Sequence, residues 1–481
     1  MLSVVAALTL GAPQADKVTS LPGFDDTWQK KFSVYSGYLT VPGPFEKTDY
    51  DSLKVHYQLH TSQRNASDPL VTWHQGGPGG SAIAVGLYTE MGYFQISDTG
   101  NYFNEYAWNS VANMLYLESP AGSGSEHGFS ECIKGGKPVN CHWDDVSQAE
   151  AYSHSLAAFR KAFPEYDASP LVMTGESYWG QYGPNIANWI LTHAPFNTSL
   201  GLSGIALGNA CWGGDAATVN CNGPNEQQND VDIFFGKGLI SKKLYTQTYS
   251  DCDFPLTGNP SIKCDLALQK VHAAVGPHNI YNIYDNCPLD GGDESEFDRT
   301  KRLRAELLPG ATPRRALAAT GDPSFTGGYQ WSCGGMSATS KWLLTADVQS
   351  ALHLGKPDQS QFGYTTSGPA SITLYPFLIP RLRVLIYNGD ADACVPYKGN
   401  EEWITDMEKQ GVLNEKDAWR PWFADKKSND APPAGYVTTF TSKSAFDFSF
   451  ATIRLAGHMV PTFQAKASLA FFSRFLAGTP M

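Results

Sequence analysis

The feature that most constrains this chain is a serine placed between a short apolar run and an amphipathic pattern. Residues 171–173 form an apolar run of strand type, and apolar residues recur at helical spacing over 182–190. The turn between them carries Ser177 after a glycine, which predicts a nucleophile elbow that lifts the hydroxyl above a sheet edge. The pattern is imperfect, because Trp179 holds the second glycine position and glycine follows at 180. The elbow therefore needs support from elsewhere in the chain.

Three other strand-like segments end in groups that such a serine needs. Residues 71–81 run into a glycine-rich turn, residues 383–392 end in acids, and residues 453–461 carry a histidine. Glycine turn, serine, acid and histidine is the chain order of the oxyanion loop and triad in α/β-hydrolases. The sequence therefore predicts an α/β-hydrolase fold with a large, mostly parallel central sheet, helices on both faces and an inserted cap.

The first half of the chain indicates how that sheet begins. Strand-like runs over 32–41, 53–60 and 70–73 predict an antiparallel start, and residues 113–117 predict the next inner strand. Apolar residues at helical spacing over 144–163 predict a helix. Strands and helices then alternate through the elbow, as in a doubly wound parallel sheet.

With these motifs assembled, the chain resembles the serine carboxypeptidases, a family of secreted and vacuolar or lysosomal peptidases. The Glu-Ser-Tyr elbow and the Ala-Gly-His-Met-Val-Pro segment are specific to that family among hydrolases. The matching segments cover almost the whole chain: 73–79, 108–109, 112–120, 163–166, 175–178, 348–353, 389–392 and 456–461.

The predicted catalytic groups follow from the order of the motifs. Ser177 is the predicted nucleophile, and His458 is the predicted base that takes its proton and returns it to the leaving amine. Asp390 and Asp392 share one turn, so the residues alone leave both open as the acid that orients His458. The resemblance implies Asp392, with Asp390 bonded to nearby backbone.

The resemblance also implies two sets of groups that hold the substrate. The backbone N–H groups of Gly77 and Tyr178 would form the oxyanion hole. A free C-terminal carboxylate would be bound by Trp73, Gln75, Gly76, Glu90 and Glu176. Two glutamates beside an anion must share a proton or be neutral, so binding is expected to weaken as pH rises.

Three positions depart from the family pattern. Gln75 replaces an asparagine and moves the amide by one methylene, and Gly92-Tyr93 replaces Gly-Pro. Trp179 replaces a small residue and could narrow the acyl pocket or distort the elbow. No departure removes a member of the predicted triad, so the sequence predicts a competent site.

Charge and hydropathy argue against several other classes of protein. The 481 residues carry a formal net charge of −12, with no basic face that interleaves aromatics, which argues against nucleic-acid binding. No apolar run after the N-terminus is long enough to span a membrane. The Asp390–Asp392 pair has no further metal ligands near it, so we predict neither a metal nor a cofactor. Peptide or protein C-termini are the expected substrates, and a homodimer is left open.

The N-terminus, two sequons and nine cysteines indicate the secretory pathway, with a secreted or vacuolar/lysosomal protein as the outcome. The sequons are Asn65-Ala-Ser and Asn197-Thr-Ser. The plausible disulfide pairs are Cys132–Cys141, Cys211–Cys221, Cys252–Cys264 and Cys287–Cys333, with Cys394 outside them. The family usually carries a cysteine where this chain has Gly80.

Four segments are expected along the chain. They are a signal peptide over 1–15 (or else a truncated or mis-started N-terminus), a hydrolase core over 16–209, an inserted cap region over 210–345, and the rest of the core over 346–481. Within the insert, an acidic run precedes a basic run that ends at Arg314-Arg315. These runs form either a solvated loop and amphipathic helix or an exposed processing loop.

The leading hypothesis is a serine carboxypeptidase that releases C-terminal residues through a Ser-His-Asp acyl-enzyme, best at acid pH. One alternative is a serine-carboxypeptidase-like acyltransferase, which would pass the acyl group to an alcohol. Another is a non-catalytic protective or binding protein on the same scaffold. The two glutamates favour the peptidase, and the intact triad argues against the non-catalytic alternative.

Overall fold

The computed structural model describes residues 12–96, 100–124, 128–212, 221–223, 225–256, 259–285, 335–357, 361–425, 432–442 and 447–481, without the side chains of 335–337. Most of the predicted signal peptide, the Cys287–Cys333 pair and the acidic and basic runs lie outside the described residues.

The described strands are short to medium in length, and α-helices separate consecutive strands between residues 144 and 414. In order they are β1 Lys17–Val18, β2 Val34–Pro42, β3 Ser52–His60, β4 Leu70–His74, β5 Phe94–Gln95, β6 Tyr102–Phe103, β7 Asn113–Leu117, β8 Glu131–Lys134, β9 Lys137–Val139, β10 Cys141–Asp144, β11 Leu171–Glu176, β12 Leu202–Gly208, β13 Phe362–Thr365, β14 Arg383–Gly389, β15 Asn414–Trp422, β16 Gly435–Thr441 and β17 Asp447–Ile453.

Thirteen of the described strands form one sheet in the order β1-β2-β3-β7-β4-β11-β12-β14-β17-β16-β15, with β8 and β9 beside β3. Pairing is parallel from β7 through β17 and antiparallel on both flanks. The predicted α/β-hydrolase fold is therefore confirmed. The prediction that residues 70–73 belong to the antiparallel start is wrong, because β4 lies inside the parallel part. All five β4 residues are buried, as expected of a strand covered on both faces.

Helices cover both faces of the sheet. The α-helices are Asp145–Ala162, Trp179–Thr192, Phe196–Ser199, Glu226–Gly236, Lys242–Asp251, Ile262–Val275, Gly335–Leu343, Ala346–Ala351, Tyr375–Leu378, Tyr397–Lys409, Val460–Phe463 and Ala465–Ala477. Segment Ala82–Met91 is wound as a π-helix and is buried along its whole length. Single 3-10 turns lie at Gln14–Asp16, Asp26–Lys30, Trp108–Ser110, Pro164–Tyr166 and Ser371–Thr373.

Alternate residues of β11 contribute to the two apolar cores, one on each face of the sheet. Leu171 and Met173 belong to the core under the helices Asp145–Ala162 and Trp179–Thr192, and Val172 belongs to the opposite core. This alternation is the period of two expected for a strand covered on both faces. The Ser177 turn therefore stands on a strand anchored from above and below.

The predicted insert has a small apolar core of its own. Its three described helices between 226 and 275 pack around Val231, Phe234 and Leu268, with the Cys252–Cys264 disulfide among them. The predicted pairs Cys132–Cys141 and Cys211–Cys221 are also confirmed. The role of this region as a cap stays a prediction.

The Trp179 ring lies below the elbow, in the core. The ring is fully buried and stacks on His74 with centroids 5.3 Å apart, and its Nε1–H donates to the Ala206 carbonyl at 3.0 Å. Glycines make the space, since a Cβ at Gly175 would lie 2.6 Å from Trp179 Cγ and one at Gly183 would lie 2.8 Å from Cε2. The ring thus supports the strand and helix that meet at the elbow.

Truncating this ring should weaken the whole fold. Trp179→Ala would leave a cavity between the elbow helix and the sheet, so we expect the free energy of unfolding to fall by about 3–5 kcal/mol. Trp419→Ala is the control, because Trp419 is 43% exposed, and its loss should be smaller. Denaturation followed by circular dichroism measures both. Equal midpoints for the two variants would contradict a supporting role for Trp179.

Candidate active site

The predicted elbow is present between β11 and the helix Trp179–Thr192. Ser177 has a φ of 64°, a left-handed conformation that non-glycine residues seldom adopt. Its N–H donates to the Gly208 carbonyl at 2.9 Å, and its own carbonyl accepts from the Cys211 N–H at 2.9 Å. Between residues 171 and 187 Ser177 is the one residue that is not buried. The turn therefore exposes the serine and buries its surroundings.

The glycine-rich turn after β4 lies directly against this elbow. A Cβ at Gly76 would lie 2.5 Å from Tyr178 N and 2.6 Å from Ser177 Cβ, so the close approach requires glycine. Gly77 has a φ of 118°, and the Gly80 N–H closes the turn on the Gly76 carbonyl at 2.8 Å. The main chain of the turn is thereby held beside Ser177.

A buried acid and histidine form a pair at the same edge of the sheet. The His458 Nδ1–H donates to Asp392 Oδ2 at 2.7 Å, and the two residues are 4% and 0% exposed. The backbone N–H groups of Cys394 and Val395 donate to the same carboxylate at 2.9 and 3.1 Å, and Asn209 Nδ2 donates at 2.7 Å. These donors favour a fixed orientation of the carboxylate.

Asp390 faces a different set of groups. Its Oδ1 accepts from the Leu455 N–H at 2.8 Å, and its Oδ2 lies 3.7 Å from Lys237 Nζ. Burial raises the pKa of Asp390, and Lys237 partly offsets that shift. Of the two acids that the sequence left open, the structure brings Asp392 to the histidine and Asp390 to the loop before it.

Asn209 was not predicted as a site residue. It follows β12 with a φ of 40°, is fully buried, and accepts from the Gly389 N–H at 3.1 Å while it donates to Asp392. It therefore ties the end of β12 to the end of β14. The sequence did contain a signal for Asn209: its amide comes directly after a parallel strand, at the sheet edge that also carries the acid.

Two opposing effects set the pKa of His458. Burial disfavours the imidazolium, but the carboxylates of Asp392 and Glu176 outweigh burial and raise the pKa above its usual value. Protonation of Glu176 would remove one of these two charges. The basicity of His458 therefore depends on the protonation state of Glu176.

Three of the five predicted carboxylate-binding residues are connected by hydrogen bonds. Trp73 Nε1–H donates to Gln75 Oε1 at 3.0 Å, and Gln75 Nε2–H donates to Glu176 Oε1 at 2.6 Å. The glutamine thus uses both ends of its amide in this chain of bonds. Glu90, on the π-helical segment, is 2% exposed and lies beside Glu176.

Burial is the main cause that shifts both glutamates towards the neutral form. Burial raises the pKa of Glu176 to about 7, against the opposing effects of His458, Gln75 and Glu90. Burial and the charge of Glu176 hold the pKa of Glu90 well above its usual value. At acid pH the pair is therefore uncharged and able to donate hydrogen bonds to an anion.

The remaining departure from the family pattern lies away from this pocket. Tyr93 is 4% exposed, and its ring packs against Phe32, Phe94 and Phe103 with centroids 5.0–5.5 Å apart. Tyr93 therefore contributes to the core behind Glu90.

The described residues hold no group of three or more His, Cys, Asp or Glu side chains arranged for a metal ion. In the same part of the chain, no helix combines the length and apolarity needed to cross a bilayer.

Comparisons with known proteins agree with this geometry. A solved carboxypeptidase from Saccharomyces cerevisiae, described as prohormone-processing, superposes with a TM-score of 0.65 at 22% identity and covers 98% of this chain and 97% of its own. That similarity shows the fold.

Curated relatives share sequence over nearly the full length. Serine carboxypeptidase 1 of Hordeum vulgare is 28% identical over 511 residues, covering 98% of this chain and 94% of the relative. The lysosomal protective protein of Mus musculus is 30% identical over 503 residues, covering 98% and 95%. The serine carboxypeptidase family model matches residues 22–478. The chain therefore belongs to the serine carboxypeptidase family of serine-type exopeptidases.

Proposed function

We propose that this protein releases C-terminal residues from peptides and proteins through an acyl-enzyme on Ser177, most efficiently at acid pH. The observation that carries the proposal is the pair of buried glutamates beside the elbow, of which Glu176 is bonded to Gln75 of the glycine turn. A pocket that is neutral at acid pH and lies next to the nucleophile suits a substrate with a free carboxylate one residue from the scissile bond.

In this mechanism Ser177 Oγ attacks the scissile carbonyl while His458 Nε2 takes the hydroxyl proton. His458 then gives that proton to the leaving amine, and water attacks the acyl-enzyme by the same route. Asp392 holds the imidazole in the tautomer that presents Nε2 as the base and stabilises the imidazolium. The 2.7 Å bond from Nδ1 to a carboxylate with three other donors supports this role.

The oxyanion is assigned to backbone donors. We assign the N–H groups of Gly77 and Tyr178, because the glycine turn lies so close to the elbow that a Cβ at Gly76 would be 2.5 Å from Tyr178 N. Such donors need no reorganisation when charge develops on the substrate oxygen.

The carboxylate pocket is assigned to Trp73, Gln75, Gly76, Glu90 and Glu176. Below pH 7 a neutral Glu176 donates to the substrate carboxylate, and its protonation also lowers the pKa of His458 by removing a nearby charge. One proton therefore strengthens substrate binding and shifts His458 towards its neutral form. This coupling supports an acid optimum.

The disulfides, and a mouse relative described as lysosomal, support a secretory route that ends in secretion or in a vacuole or lysosome. We also propose that residues 210–345 form a cap over a core made of 16–209 and 346–481, with 1–15 as a signal peptide.

The primary test compares a blocked dipeptide that has a free C-terminus with its C-terminal amide. We expect release of the terminal residue from the acid, highest at low pH, and little from the amide. Ser177→Ala should lower kcat/KM by about 10⁴-fold or more, since the nucleophile is lost. Transfer of the acyl group to an added alcohol in place of hydrolysis would instead indicate an acyltransferase. Failure of a serine-directed probe to label the folded protein would indicate a non-catalytic role.

The glutamate pair predicts how KM depends on pH. Glu176 ionises at about pH 7, so KM for the free acid should rise about 10-fold between pH 6 and 8 as the pocket becomes anionic. Glu176→Gln stays neutral and should flatten this rise, whereas Glu415→Gln, on an exposed residue, should leave it unchanged. A flat KM from pH 4 to 8 in the wild type would refute the assignment.

Asn209 should tune the histidine through Asp392. Asn209→Ala removes a donor from the carboxylate, which strengthens its effect on His458 and should shift the acid limb of kcat/KM to higher pH. We also expect kcat to fall by about 10-fold. Asn400→Ala is the matched control, because Asn400 is equally buried but bonds to Asn388 and the Ala210 carbonyl. The same shift in both variants would point to general loosening.

A further inference from the structure

The inserted region contributes one segment to the loops that carry Asp392 and His458. We call residues 279–285 the clamp segment. The Ala393 N–H donates to the Ile280 carbonyl at 2.8 Å, and the Ile283 N–H donates to the Ala391 carbonyl at 3.0 Å. The clamp segment therefore bonds to the residues on either side of Asp392.

The same segment also bonds to the histidine. The His458 N–H donates to the Tyr281 carbonyl at 2.7 Å. The Tyr281 ring packs against the imidazole, with centroids 5.1 Å apart and an interplanar angle of 58°. One short piece of chain thus contacts both loops that present the acid–histidine pair.

A glycine makes this approach close. A Cβ at Gly457 would lie 2.1 Å from the Tyr281 carbonyl oxygen and 2.6 Å from Asn282 Cβ. The residue before His458 must therefore lack a side chain if the clamp segment is to reach the histidine main chain.

Side chains of the clamp segment hold its own shape. Asn279 Oδ1 accepts from the Tyr281 N–H at 2.9 Å, and Asn282 Oδ1 accepts from the Tyr284 N–H at 3.1 Å. Both asparagines are buried, at 5% and 3% exposed. These two local turns order the segment before it meets the loops.

We propose that the clamp segment positions the Asp392–His458 pair, and that Tyr281 is the positioning residue that limits rotation of the imidazole. The Nδ1 bond to Asp392 fixes one side of the ring, and the Tyr281 ring restricts its face. The proposal rests on the proposed function only in using His458 as the base. It makes the reactivity of Ser177 depend on the inserted region, which lies outside the parallel sheet.

The titratable groups that act on His458 are Asp392, after β14, and Glu176, at the end of β11. Loss of the Tyr281 ring leaves both charges in place and admits water to the imidazole. Because burial lowers the pKa of His458, its loss should raise that pKa.

The test measures the rate at which a fluorophosphonate labels Ser177, as a function of pH, together with release of the terminal residue. Tyr281→Ala should slow labelling by about 10-fold or more and move its acid limb to higher pH, with KM for the free acid little changed. Tyr281→Phe keeps the ring and should behave as the wild type. Tyr284→Ala is the matched control on the same segment, because the Tyr284 ring is exposed and packs against Lys237 and not against the imidazole.

The results separate this proposal from the proposed function. If the wild type is labelled normally but releases no terminal residue, the peptidase function is rejected and the positioning role is unaffected. Equal labelling rates and pH profiles in Tyr281→Ala and the wild type would overturn the positioning role. An equal loss in Tyr284→Ala would also overturn it, since general loosening would then explain the effect. Tyr281 is half-buried, and Tyr281→Ser is the second truncation if the alanine variant does not fold.

Discussion

The buried carboxylate of Asp392 is the interaction on which the site depends. It is fully shielded from water and accepts hydrogen bonds from the histidine ring, the Asn209 amide and two backbone N–H groups. An unpaired charge at that depth would be strongly unfavourable, so the four donors are what make its burial tolerable. The loops after β12, β14 and β17 meet at this one group. The hydrogen bonds that stabilise the buried carboxylate therefore also fix the geometry of the site.

Burial has a different effect on the glutamate pair, because it raises the pKa of both carboxyl groups. Asp392 is supplied with donors, whereas Glu90 and Glu176 share few, and the energy of desolvation shifts them towards the protonated form. Asp392 and the two glutamates thus lie in one water-poor site but differ in the number of their hydrogen-bond donors. The Gln75 amide links Trp73 to Glu176, since its oxygen accepts from the Trp73 ring and its N–H donates to the Glu176 carboxylate.

The motifs allowed much of the fold to be predicted. Three strand-like segments are each followed by functional groups: Ser177 after one, glycines after another and two acids after a third. This pattern implies parallel strands whose carboxyl ends meet at one edge of the sheet. The direction of β4 was mispredicted because an apolar five-residue strand carries no local mark of parallel or antiparallel pairing. Trp179 was expected near the acyl pocket or the turn. Its ring lies in the core because Gly175 and Gly183 leave room for it there. The fit between the ring and these glycines depends on residues that are not adjacent in sequence.

The sequence by itself determined which chemical groups are present and which end of the sheet they occupy, because strand period and glycine positions are local properties of the chain. Only the tertiary structure decided which of Asp390 and Asp392 meets His458, that Asn209 bonds to the acid, and that residues 279–285 reach across both loops. Those contacts join segments separated by tens to hundreds of residues. Their distances depend on how the whole sheet is packed, and no local pattern encodes them.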